Sequence, residues 1–120
     1  MDESILNTIK KMLGIESDVI EFDTEIIICI NSAIANLSQL GVGPDDGFEI
    51  LDKTTIWSNY LNNKKLLNNV KTCIFLKTKL LWDPPANSFV VESYNKQITE
   101  NEFRINVLAG NGGDNLNVEV

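Results

Sequence analysis

The sequence has no histidine and only two cysteines in its 120 residues. Without histidine it lacks the commonest general base and the commonest metal ligand. Cys29 and Cys73 lie far apart, in apolar helix-like stretches and outside any CxxC spacing. They read as reduced core thiols, because a redox or metal pair would need supporting ligands. No apolar run approaches the ~18 residues that a membrane span requires. The opening MDESILNTIKKM carries acids and no long apolar stretch, which argues against a secretory signal. The expectation is a protein made and kept in a cytoplasm, with no membrane partner.

Hydrophobic residues make up 43% of the chain, enough for one folded domain with its own core and too many for a disordered polymer. The net charge of −7 is unevenly spread. Residues 1–52 hold eleven acids and two lysines, a balance of −9, whereas residues 53–104 hold eight bases and four acids, a balance of +4. Such a molecule can pair edge to edge with copies of itself, although two ordinarily solvated faces would give the same split.

The pattern predicts an all-α fold. Its form is a compact bundle of four main helices plus a short one, with an extended loop and a flexible C-terminal tail. The first helix runs from about Asp2 to Leu13, with Ile5, Ile9, Met12 and Leu13 at helical spacing and Gly14 as its stop. An acidic linker, ESDVIEFD, leads to Asp23, placed to cap a second helix from Thr24 to Leu40. Ile26, Ile30, Ala33, Ile34, Leu37 and Leu40 form its stripe. Ile27, Ile28 and Cys29 widen that stripe, so its first turns should be buried nearly all round.

Pro44-Asp45-Asp46-Gly47 is a natural tight turn, and Phe48-Glu49-Ile50 alternates like a short extended piece. A short helix starts at Thr54 or Thr55 and runs through Leu61. Asn62 or Asn63 then caps a long helix from Lys64 to Trp82, with Leu66, Leu67, Val70, Cys73, Ile74, Leu80 and Leu81 on its face. Lys77 interrupts that face and should snorkel to water. Asp83-Pro84-Pro85 ends the helix. A last helix runs from Asn87 or Ser88 to Leu108, marked by Val91, Tyr94, Ile98, Ile105 and Leu108. This organisation divides into a helical domain, 1–109, and a tail, 110–120. The tail's paired glycines predict mobility, and Leu116, Val118 and Val120 alternate as a strand added to a partner's sheet would. Chance alternation in a disordered tail accounts for the pattern equally well. The fifteen asparagines read as compositional drift.

The search for chemistry finds no catalytic, cofactor-binding or metal site. Gly41-Val42-Gly43 follows a helix instead of a strand and lacks the Gly-Lys-Ser/Thr of a phosphate loop. Asp45, Asp46, Glu49 and Asp52 do not match the spacing of a calcium loop. Serine and threonine nucleophiles have no histidine, and nothing points to a Ser–Lys pair. Lysines 64, 65, 71, 77 and 79 lie along one helix and make a DNA-packaging or regulatory protein that binds nucleic acid the runner-up reading.

Three stretches carry a resemblance: FDTEIIICINSAIANLSQLGVGPDDGFEI, VKTCIFLKTKLLWDPPANSFVVES and QITENEFRINV. Together they resemble the head–tail connector (adaptor) family of long-tailed bacteriophages, from about Ile5 to Val107. Cys73 stands where an aromatic residue is expected, and Trp82 keeps that character. The resemblance implies a helical, non-enzymatic virion protein, present in the host cytoplasm during assembly. It implies a ring, typically twelvefold, on the portal protein, which extends the DNA channel and presents a platform for a head-completion (stopper) or tail protein. Packaged DNA would pass through without specific binding. Within that architecture, turn chemistry and tail mobility make Asp45, Asp46, Phe48, Leu116, Val118 and Val120 the candidate partner-binding residues.

Overall fold

A computed structural model describes residues 3–109. They form five helices: α1 (Ile5–Met12), α2 (Asp23–Ser38), α3 (Trp57–Tyr60), α4 (Lys64–Trp82) and α5 (Ser88–Leu108). The fold is the expected all-α bundle, with α4 packed between α2 and α5 and α1 closing one side. Ile5, Ile9, Ile26, Ile30, Leu37, Val70, Ile74 and Ile105 are among the wholly buried residues of its core.

Side-chain caps set several helix starts, because the first N–H groups of a helix have no partner inside it. The Ser4 hydroxyl accepts from Asn7 N–H at 3.1 Å. Asn63 Oδ1 accepts from the N–H groups of Lys65 and Leu66, and Asn87 Oδ1 from those of Phe89 and Val90. The first helix therefore begins three residues later than Asp2, with Ser4 as its cap. Ser4 also pairs with Ile56 in an antiparallel bridge, the one such bridge among the described residues. That bridge pins the start of α1 to the entry of α3.

Asp23 does not cap α2. It is the first helical residue, and no side chain caps the helix at Phe22. Its carboxylate turns instead to the buried Lys10 ammonium, 2.8 Å away. Lys10 also donates to the carbonyls of Val19 (2.6 Å) and Ser17 (3.2 Å), so one cation ties α1, the linker and α2 together.

Four burial expectations need correction. The first turns of α2 are not buried all round: Ile28 is exposed, and Ile27 and Cys29 are half-buried, because α1 and α4 cover a single stripe. On α4, Leu81 is exposed whereas Leu76 and Thr78 are buried, since α1, α2 and α5 approach this helix from several directions. Leu108, at the end of α5, is exposed. Lys77 does not extend into water. Its ammonium lies 2.9 Å from Glu102 of α5 and 3.4 Å from Asn36 Oδ1 of α2, which makes it a bridge between three helices.

The short helix is the single turn Trp57–Tyr60. Residues 48–50 form no strand. The Asn31 side chain does the work of one, accepting from Ile50 N–H at 2.7 Å and donating to Ile50 C=O at 3.0 Å. This satisfies a buried backbone that would otherwise lack partners.

Candidate docking surfaces

The loop 41–52 is anchored from inside and polar outside. Gly47 N–H donates to Pro44 C=O at 3.0 Å, and Gly47 has φ +94°, so the expected tight turn is present. Val42 and Ile50 are buried. Phe48 is half-buried and stacks on Tyr60, with ring centroids 4.9 Å apart. Asp45, Asp46 and Glu49 are exposed. Leu51 is 77% exposed, a bare apolar side chain inside an acidic loop. Sequence reading passed over it, although it directly follows the alternating Phe48 and Ile50. Asp52 accepts from the hydroxyl and the N–H of Thr54. The hydroxyl contact, then the N–H, hold its carboxyl below the usual aspartate range.

Of the candidate residues, the structure thus places Asp45 and Asp46 at the tip of the loop and Phe48 at its base, against α3. Leu116, Val118 and Val120 lie outside the described residues.

The lysines of α4 do not form a continuous lane for phosphates. Lys77 is paired with Glu102, and Lys79 with Asp83 at 2.9 Å. The Lys71 ammonium sits 5.3 Å from the centre of the Trp57 ring, in cation–π range. Lys64 and Lys65 are exposed at the first turn of α4. The positive charge left for a partner is therefore concentrated at that end of the helix.

Two concave regions accompany these surfaces. A polar hollow of about 590 Å³ lies between α1 and the linker, lined by residues including Asn7, Thr8, Lys11 and Ser17. A more apolar groove of about 550 Å³ lies between α3 and the first turns of α4, over Trp57, Leu61 and Leu67. Among the described residues, no three histidine, cysteine, aspartate or glutamate side chains gather where they could hold a metal ion. No helix there is long and apolar enough to cross a membrane. Burial pushes the Cys73 thiol up to about 11, so at neutral pH it is a core filler and a poor nucleophile.

Of the exposed aromatics among the described residues, the two most exposed, Phe89 and Phe103, lie on α5. Scattered apolar residues are normal on a folded surface, but two exposed phenylalanines on one helix are apolar contact area suited to a macromolecular partner.

Comparison with known proteins agrees with a part built for contact. The phage connector protein family matches the chain over residues 5–112. No curated protein and no solved structure matches it.

Proposed function

The chain belongs to the phage connector protein family, and from that membership we propose that it is a structural virion protein at the head–tail junction. In this reading it assembles as a ring on the portal protein, extends the DNA channel and offers a platform for a stopper or tail protein. The family match over residues 5–112 carries the proposal. The surface supports it. An acidic loop tip at Asp45 and Asp46 and a basic end of α4 at Lys64 and Lys65 give each subunit two exposed patches of opposite charge. Such patches suit a head-to-tail contact, which closes into a ring when its rotation closes. An overall charge of −7 also favours free passage of DNA, since like charges repel. We assign the chain no catalytic step.

The tail, with Leu116, Val118 and Val120, is proposed as the segment that engages the portal. The runner-up, a nucleic-acid binder, loses ground because two of its five lysines, Lys77 and Lys79, are paired with carboxylates within the subunit. Mixing the full chain with its portal and imaging the product by electron microscopy tests the proposal: rings seated on the portal are expected. Particles bearing no added density would overturn it. Deleting residues 110–120 should abolish portal binding and leave the helical signal unchanged, and undiminished binding would remove the tail from the proposal.

A further inference from the structure

The groove between α3 and α4 is apolar at its floor and basic at its rim. Trp57, Leu61 and Leu67 line the floor; Lys64 and Lys71 stand two helical turns apart on α4; Asn62 and Asn68 add amides. Leu61 and Leu67 are half-buried, packed against the core on one side and bare on the other. Leu61 has φ −157° and ψ 151°, and Asn63 has φ −77° and ψ 106°, so the chain along this edge is extended. Among the described residues, neither the N–H nor the C=O of Asn62 has a hydrogen-bond partner. A ready edge for one extended segment is therefore present.

The charge at this place runs against the helix it belongs to. Lys64 and Lys65 occupy the first turn of α4, which holds no acid. Cations there oppose the helix dipole, which favours negative charge at an N-terminus. A negatively charged occupant would relieve that conflict.

We propose that the groove receives this chain's own C-terminal segment, residues 114–120. Three observations select that occupant over a foreign one. The segment carries two acids, Asp114 and Glu119, and no base, which complements Lys64 and Lys71. Leu116, Val118 and Val120 alternate, so in an extended segment they share the face that would meet Leu61 and Leu67. The connection 83–87 folds α5 back along α4, and the helices are of similar length, 19 and 21 residues. α5 packs against α4 and runs back from that connection, so Ala109 lies on the α4 side of the bundle, away from residues 83–87. Residues 110–113 link Ala109 to that segment and let Asp114 lie up to ~18 Å from Ala109, more than the width of a helix. Three of the four linking residues are glycines, at 110, 112 and 113. A tether this short keeps the segment at millimolar effective concentration, so a shallow groove suffices to hold it. Any partner that takes the tail must compete with the groove.

The test uses the isolated full chain, without portal, so its outcome is separate from that of the connector proposal. Amide spectra of isotope-labelled protein should change at Trp57, Leu61, Asn62, Leu67 and Asn68 when Leu116, Val118 and Val120 are all replaced by aspartate. The double variant Lys64→Glu/Lys71→Glu should release the same tail, moving the amides of 114–120 to random-coil shifts, and raising salt should do so partially. Groove shifts identical in the parent and the tail variant, with random-coil tail shifts in both, would overturn the proposal. Shift changes that grow with protein concentration would give the groove to another copy's tail and overturn the intrachain assignment.

Discussion

Replacing Lys10 by methionine keeps the apolar stem of the side chain and removes only its ammonium. That ammonium is almost wholly buried and meets Val19 C=O at 2.6 Å, Asp23 Oδ1 at 2.8 Å and Ser17 C=O at 3.2 Å. Two of these oxygens accept hydrogen bonds from the ammonium, and the Asp23 carboxylate completes the site as its ion-pair partner. Removing one member of a fully buried ion pair costs ~3–5 kcal/mol. Here Asp23 is 24% exposed and Ser17 is exposed, so water can take over part of the lost solvation. The expected loss is about 2–3 kcal/mol, set by hydrogen bonds to a charged group that are only partly replaced. For a domain of this size that lowers Tm by about 8–12 °C.

Thermal unfolding followed by far-ultraviolet circular dichroism measures the global term. Amide hydrogen exchange supplies the local one: the linker from Leu13 to Phe22 should lose protection, since Lys10 is what holds its carbonyls inward. Asp23→Asn, added to Lys10→Met, should cost little more than Lys10→Met alone, because its partner is already gone. A Lys10→Met protein within about 0.5 kcal/mol of the parent, with unaltered linker exchange, would refute the reasoning.

Gly43→Ala should destabilise far more than Gly47→Ala. Both glycines have positive φ, +85° and +94°, and share a backbone strain of ~1–2 kcal/mol on gaining a Cβ, but a Cβ at Gly43 would lie 2.7 Å from Tyr60 Cε1 while Gly47 faces open space. Urea midpoints check this, and equal losses would count against it. Cys73 should make stability fall with rising pH. Its pKa is raised from 9.0 to about 11, so above pH 9 the unfolded chain gives up this proton first, and up to ~2.7 kcal/mol is lost across pH 9–11. Cys73→Ala should flatten the urea midpoint across that window, and an unchanged slope would contradict the assignment. Asp45→Lys/Asp46→Lys should leave the thermal midpoint nearly unchanged, because both acids are exposed, and should alter ring assembly on the portal or particle infectivity. No change in assembly or infectivity would remove the loop tip from the docking surface.

The order and approximate extent of the helices were legible because local chemistry states them. Asn63 and Asn87 cap the helices that begin after them, and Asp83-Pro84-Pro85 stops α4 before its ring can clash. What the sequence concealed depends on the path of the loops. Lys10 reads as a favourable charge at the end of α1, and only the return of the linker across it supplies the carbonyls that bury it. The abundance of asparagine reads as drift, yet Asn31, Asn36, Asn59, Asn63, Asn87 and Asn101 each make side-chain hydrogen bonds. Their partners stand as far as 41 residues away, as with Asn36 and Lys77, and no local pattern announces such a pair. The acidic turn was visible as a candidate contact, whereas the groove over Trp57 was not, because Leu61 and Leu67 look like core residues until the neighbours that fail to cover them are known.

The acidic loop and the basic groove share one mount. α3 is a single helical turn, too short to be stable on its own propensity, and it is fixed by burial of Trp57 and Tyr60. Tyr60 supports the loop through the Phe48 ring and the close approach of Gly43. Trp57 supports the groove, donates from Nε1 to the Thr8 hydroxyl at 3.0 Å and lies beneath the Lys71 ammonium. The rings of Trp57 and Tyr60 are 6.5 Å apart, close enough that neither can shift without moving the packing of the other. A contact that displaced Phe48 would therefore be felt at the groove through two aromatic side chains. Both surfaces therefore rest on one short helical turn whose two aromatic side chains are buried. Their relative position is then set by packing in the core.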